Sequence, residues 1–196
     1  MIINQSSKYE KELNLLHKAI EQAEQKKHDQ IVSPIITKIF NILENFLRSK
    51  KLVCYGGTAI NNILPLKDQF YNKEIELPDY DFFTDNAIND AKELADIYYS
   101  NGFDEVEAKA GVHIGTYKVF VNFIPIADIT QVPTNLFEAL QKNAIIINKI
   151  YYAPPNYLRM TAYLELSRPD GDVSRWEKVW KRLKLLNKNY PIPQTQ

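Results

Sequence analysis

A chain of 196 residues, 45% hydrophobic and 24% charged, can bury one substantial core with a smaller unit appended. Its 24 basic and 24 acidic residues cancel, which argues against a histone-like coat of phosphate contacts. No run of about twenty uncharged apolar residues is present to span a membrane, and a single cysteine, Cys54, excludes an internal disulfide.

The first thirty residues read as a helix, with Leu13, Leu16 and Ile20 at helical spacing among polar residues. Met1 to Ser7 carries neither the basic lead nor the long apolar run of a signal peptide. A second helix is predicted from Ser33-Pro34, with serine as N-cap and proline at the first helical position. Its apolar face is Ile35, Ile39, Ile42, Leu43, Phe46 and Leu47. A short buried strand, Lys51 to Tyr55, holds Cys54 as a structural thiol, in keeping with a reducing compartment. A glycine turn and a short helix, Thr58 to Leu64, come next, then a polar loop from Pro65 to Leu77. A strand carrying Asp79 and Asp81 precedes a helix from Asn86 to Ser100, closed by Asn101-Gly102.

Three extended segments are predicted at about 106–110, 116–123 and 125–129. The middle one alternates, with Tyr117, Val119, Val121 and Phe123 on one face. A helical region from Asn135 to Asn148 is stopped by Ala153-Pro154-Pro155. Two closing helices, about 156–167 and 174–189, flank Arg168 to Asp172. The second opens on Ser174-x-x-Glu177, a capping-box pattern, and its buried stripe is Trp176, Val179, Trp180, Leu183 and Leu186. The class is α+β: a small mixed β-sheet flanked by helices, with N-terminal helices and a C-terminal helical unit. The boundaries fall at 1–50 for an N-terminal helical segment packing on the core, 51–150 for the core, and 151–196 for the C-terminal helical unit.

Charge is unevenly spread. From Glu74 to Glu107 there are eleven acidic residues and one lysine, whereas from Tyr151 onward eight Lys/Arg face four acids. The basic part can meet a nucleic-acid backbone or form a solvated helix face.

Within the acidic stretch, Leu77-Pro-Asp-Tyr-Asp-Phe-Phe83 holds the most informative pattern. Strand residues two apart point to the same face, so Asp79 and Asp81 would stand side by side and repel unless a cation lies between them. Other acid-x-acid pairs exist, at Glu10/Glu12, Glu74/Glu76, Glu105/Glu107 and Asp170/Asp172. Only Asp79 and Asp81 sit among bulky apolar neighbours, where two unpaired anions cost several kcal/mol. A third carboxylate, Asp128, ends a later strand. The alternative is a surface cluster capped by backbone donors. Upstream, Gly56 and Gly57 lie between a strand and a helix, where backbone N–H groups attract phosphate oxygens. Thr58 can add a hydroxyl there, and Asn61 or Asn62 an amide. Lys109, His113 and Lys118 lie near Asp128, able to meet phosphates or a base, or simply to be solvated.

Gly-Gly, then Asp-x-Asp, then a single Asp resembles the nucleotidyltransferase fold of the DNA polymerase β type. Longer motifs sharpen the resemblance. Tyr55 to Asn61, Leu77 to Phe83, Lys109 to Asn122 and Leu164 to Lys178 look like the poly(A) polymerase catalytic subunit of large cytoplasmic DNA viruses, of the giant-virus and poxvirus kind. The resemblance covers nearly everything from about Ile31. It implies template-independent transfer of AMP from ATP to an RNA 3′ end, which is polyadenylation of mRNA. Asp79, Asp81 and Asp128 are then both the catalytic residues and the ligands of two Mg²⁺ or Mn²⁺ ions. Gly56, Gly57, Thr58, Asn61, Lys109 and Lys118 are the implied nucleotide-binding set.

ATP and RNA are thus the implied partners, with a protein subunit or a second copy of the chain as a further candidate and no membrane. The implied location is the host cytoplasm and viral factory, or the virion. Members of that family are longer, so this chain is expected to be either a fragment, its C-terminal unit the start of a domain truncated here, or a naturally compact version. Two other readings stay open: a nucleotidyltransferase acting on a small molecule or protein, and a non-catalytic nucleotide- or RNA-binding subunit.

Overall fold

The computed structural model describes residues 3–31, 33–72 and 76–193; Glu74 lies outside the described residues. Two compact units divide the chain: Met1–Lys38 with Asn72–Leu77, and Ile39–Tyr71 with Pro78–Gln196. The first consists mainly of helix α1 (Ile3–Ile31) and the start of α2 (Pro34–Lys50). The predicted serine cap is observed, as Ser33 Oγ accepts a hydrogen bond from the Ile36 N–H at 3.4 Å. Leu13, Leu16 and Ile20, expected as an apolar stripe, are exposed, and the inward face of α2 begins at Ile36 and not at Ile35.

A seven-stranded mixed sheet organises the second unit. Its elements are β1 (Val53–Tyr55), α3 (Gly56–Ile63), β2 (Tyr80–Thr84), α4 (Ala87–Ser100), β3 (Val106–Ala110), β4 (Thr116–Val121) and β5 (Ile124–Gln131). They continue with α5 (Thr134–Lys142), β6 (Ile145–Ile147), β7 (Ile150–Tyr152), α6 (Pro155–Leu166) and α7 (Trp176–Asn189). Strand order is β3-β4-β5-β2-β1-β7-β6. The pairs β2/β5 and β1/β7 are parallel and the other neighbours antiparallel. The architecture is the α+β one expected, a mixed sheet with flanking helices.

Side chains alternate across the strands, so the sheet has two distinct faces. Tyr80, Phe82, Val119, Ala127 and Ile129 point to one face and are buried. Helix α4 covers it, tied on by Thr84 Oγ1 donating to Asp90 Oδ2 at 2.5 Å. Helix α2 is fixed on the same side by the Tyr80 hydroxyl, which donates to Glu44 at 2.9 Å. Residues 81, 118 and 128, one step out of phase, face the other way. Helices α6 and α7 pack on each other through Ala162, Leu166, Val179 and Leu183. No helix among the described residues is long and apolar enough to cross a membrane.

Four local expectations are corrected. Residues 145–152 form the hairpin β6–β7 and not the end of a helix, because α5 stops at Lys142 and Asn148 and Lys149 turn with φ of +51° and +65°. Phe123 is not the last inward residue of a strand. It is 82% exposed, in a two-residue turn with Asn122 where both φ values are positive. Trp180 is half exposed, so the buried stripe of α7 is Val179, Leu183 and Leu186. The capping box at Ser174 is replaced by an Asx turn, in which Asp172 Oδ1 accepts from the Ser174 N–H at 3.1 Å. Glu177 pairs with Lys181 instead, at 2.5 Å.

Candidate active site

Register brings two of the three predicted carboxylates together. Asp81 on β2 is the Cα partner of Asp128 on the parallel strand β5, and Asp128 is the partner of Lys118 on β4. Lys118 in turn faces Lys109 on β3, and Asp81 faces Tyr55 on β1. One transverse row of the sheet therefore reads Lys109–Lys118–Asp128–Asp81–Tyr55, on the face away from α4. Asp79 precedes β2 by one residue and is exposed. Its carbonyl accepts a 2.5 Å hydrogen bond from Thr58 Oγ1, so the first turn of α3 fixes where β2 begins.

The electrostatics follow from this crowding. Burial pushes the Asp81 carboxyl up to about 7, and the charges of Asp79 and Asp128 push the same way. Lys118 and Arg175 offset only part of that rise. Lys118 Nζ donates to Asp128 Oδ2, and the two side chains are 34% and 21% exposed, so the ion pair is only partly solvated. As they stand, the carboxylates do not form a ready-made cage. Among the described residues no group of three or more His, Cys, Asp or Glu side chains is arranged to hold an ion. In kind they do fit a hard divalent cation, being carboxylate oxygens, one of which burial and its neighbours' charges keep from ionising freely.

The glycine turn lies directly beside Asp81. Gly56 has φ of +71°, and a Cβ built on it would lie 2.6 Å from Asp81 Oδ2. A Cβ on Gly57 would lie 2.5 Å from the Tyr71 hydroxyl and 2.7 Å from Arg182 Nη2. Gly56 is thus favoured both by its positive φ and by the carboxylate against it, while Gly57 lies against the ends of the Tyr71 and Arg182 side chains. Arg182 donates from Nη2 to the Tyr71 hydroxyl at 2.6 Å and lies over the Phe70 and Tyr71 rings, 5.3 and 5.6 Å from their centroids. Its buried Nε has no hydrogen-bond partner among the described residues. Lys178, one helical turn earlier, lies 6.0 Å over the Tyr71 ring. This cationic pair was not among the sequence candidates. Its only sequence signal is the spacing of Lys178 and Arg182 along the border of the buried stripe of α7.

The remaining candidates take different places. Asn61 is buried and its Oδ1 accepts the Phe70 and Tyr71 N–H groups at 2.8 and 3.0 Å, so it shapes the loop that presents Tyr71. Lys109 is exposed, bonded to Glu107 at 2.9 Å, with Nζ 4.3 Å from the Phe120 ring. His113 is exposed in the β3–β4 loop. Outside that set, Arg175 pairs with Glu165 at 3.5 Å. Burial pushes the Cys54 thiol far above its ordinary range, as suits a structural cysteine. On the face that carries Asp81 and Asp128, the Tyr55 ring stacks on Phe83 at 3.8 Å, and its hydroxyl and that of Thr116 each lie 3.0 Å from Thr130 Oγ1.

Comparison with known proteins agrees with this geometry. The sequence profile described as "Poly(A) polymerase catalytic subunit" matches residues 41–172. The chain is 36% identical, over 168 residues, to the protein assigned as the poly(A) polymerase catalytic subunit of African swine fever virus; the match covers 81% of this chain and 34% of that protein. The corresponding assigned subunit of Acanthamoeba polyphaga mimivirus is 31% identical over 173 residues, covering 85% and 29%. The crystal structure of the Megavirus polyadenylate synthase superposes with a TM-score of 0.82 at 31% identity, covering 96% of this chain and 38% of that one. The chain therefore spans about a third of the length of these relatives, and its sheet and helices take the nucleotidyltransferase-type fold. A profile match that includes Gly56, Gly57 and all three aspartates settles the relationship: this chain belongs to the poly(A) polymerase catalytic subunit family.

Proposed function

We propose that this chain carries the nucleotidyl-transfer core of a poly(A) polymerase, moving AMP from ATP to an RNA 3′ end. The observation that carries the reading is the pairing of Asp81 and Asp128 across β2/β5, with the Gly56–Gly57 turn against Asp81. Asp79, Asp81 and Asp128 would hold two Mg²⁺ or Mn²⁺ ions. When bound, such ions lower the pKa of the attacking hydroxyl and neutralise charge on the transferred phosphoryl group.

The protein's own contribution is position. The backbone at Gly56 and Gly57, at the start of α3, admits the triphosphate, and Lys178 and Arg182 supply positive charge beside it. In the reaction the RNA 3′ oxygen bonds to the α-phosphorus of ATP while the bond to pyrophosphate breaks. In this proposal the hydroxyl proton passes to Asp128 or to solvent. A protein subunit that completes the enzyme is part of the same proposal.

Incubating the chain with labelled ATP, Mg²⁺ or Mn²⁺ and a short RNA primer tests it. Ladder extension that vanishes in Asp81→Asn is the expected result. Label transferred to a small molecule or protein in place of the primer, or nucleotide binding with no transfer at all, would overturn it.

A further inference from the structure

Asp128 has a different neighbour on each side. Asp81 stands across β2/β5, and Lys118 stands across β4/β5 with its ammonium on Asp128 Oδ2. We propose that Lys118 is a tethered stand-in for the divalent cation. It occupies the Asp128 carboxylate while the site is metal-free, and it has to be displaced before an ion can bind there. The inference rests on the metal-dependent reading given above.

The charge balance of the sheet face supports it. The charges of Asp79 and Asp128 bear on Asp81, and Lys118 is the cation bonded to Asp128; Arg175 acts from further off and is itself paired with Glu165. Without Lys118, the metal-free Asp128 carboxylate would face Asp81 across the sheet with no cation bonded to it. Lysine suits such a post better than arginine. A single ammonium on a flexible four-carbon stem can withdraw, whereas a guanidinium fork would hold the carboxylate bidentately. At 34% exposure the Lys118 side chain has open space to withdraw into.

Displacement has a chemical consequence. An ion arriving alone has to break the ion pair and leave the ammonium without a partner. An ion arriving with a triphosphate brings phosphate oxygens that can receive it. Lys118 thus weakens binding of the free ion and couples metal binding to nucleotide binding, a coupling that acts equally in both directions.

The test is a Mn²⁺ titration of the intact chain, with free Mn²⁺ read by electron paramagnetic resonance and neither nucleotide nor RNA present. Wild type is compared with Lys118→Gln, Lys118→Arg and Asp81→Asn. Lys118→Gln is expected to bind Mn²⁺ about 5-fold tighter or more, and Lys118→Arg no tighter than wild type. A non-hydrolysable ATP analogue is expected to raise Mn²⁺ affinity more in wild type than in Lys118→Gln. Lys118→Met serves if the glutamine variant does not fold by circular dichroism. In wild type, the ¹⁵Nζ resonance of Lys118 is expected to shift on adding Mg²⁺.

Mn²⁺ binding that is lost in Asp81→Asn but equal or weaker in Lys118→Gln overturns the stand-in and leaves the metal reading intact. Absence of measurable Mn²⁺ binding in every variant overturns both.

Discussion

A methyl group on Gly56 would lie 2.6 Å from Oδ2 of Asp81, on a backbone whose φ is +71°. Gly56→Ala therefore meets two penalties at once. The left-handed conformation costs a non-glycine residue about 1–2 kcal/mol, and the carboxylate has to move. We expect a lower melting temperature together with a loss of nucleotide incorporation larger than the stability change explains. Thermal denaturation run beside the primer-extension assay measures both, and a fully active, fully stable variant would contradict the geometry.

Asp81 links the site to stability. Unfolded, an aspartate ionises near its ordinary value of 3.8; folded, Asp81 does so at about 7. Between those values the native state holds a proton that the unfolded chain gives up, so raising the pH favours unfolding through that window. Metal-free protein should lose stability from Asp81 as pH climbs from about 4 to about 7. Asp81→Asn should lack that component and melt higher than wild type at pH 8, while incorporating nucleotide roughly 100-fold more slowly or worse. Urea titrations across this range in the presence of a chelator give the comparison. Parallel pH profiles for the two proteins would refute the assignment.

Arg182 should act on substrate binding before it acts on turnover. Losing a charge-assisted hydrogen bond typically costs about 1.5–3 kcal/mol, so Arg182→Ala should raise KM for ATP roughly 10- to 100-fold. Tyr71→Phe removes one partner of that guanidinium and should have a smaller effect of the same kind. Steady-state kinetics over a range of ATP concentrations separates the two parameters. A fall in kcat with KM unchanged would place Arg182 elsewhere in the mechanism.

Much of this was legible in the chain because the informative signals are local. Asp79, Asp81 and their apolar neighbours mark a strand edge, and Gly56-Gly57 marks a strand-to-helix turn within the same short stretch. What stayed hidden depended on distance or on backbone conformation. Tyr71 and Arg182 are 111 residues apart in sequence, and no periodicity announces that they meet over Gly57. Asn61 was visible as an amide near the turn, but its true partners, the Phe70 and Tyr71 N–H groups, belong to a loop that its own sequence does not position. The β6–β7 hairpin was missed because three-residue strands are too short to show a period of two, and Asn148-Lys149 lacks the usual glycine. Phe123 continues the alternation of β4 by composition alone, while its positive φ takes it out of the strand.

That last misfit gives a prediction outside the site. Asn122 and Phe123 both have positive φ in the β4–β5 turn, where an Asn-Gly pair is favoured and an aromatic side chain is strained. Phe123→Gly should stabilise the protein by about 1 kcal/mol, since the exposed ring contributes little packing. Chemical denaturation would detect that gain, and a loss of stability would show that the ring has a partner.

Arg159 makes the opposite case. It is 4% exposed and donates to Asn156, to Asn187 and to the Tyr190 carbonyl, tying α6 to the end of α7. Arg159→Ala should cost roughly 3 kcal/mol or more, because buried acceptors would be left unpaired. Melting of the variant measures this, and a loss under about 1 kcal/mol would mean that water replaces the guanidinium.

Thr58 holds Asp79 by its main-chain carbonyl and leaves the carboxylate out of the bond. Side-chain identity at 79 is therefore uncoupled from the anchoring of that peptide. One codon change can erase the charge, and another can restore it, without unfastening that peptide from the first turn of α3. A lineage of such proteins can lose and regain that negative charge while the local backbone keeps its shape.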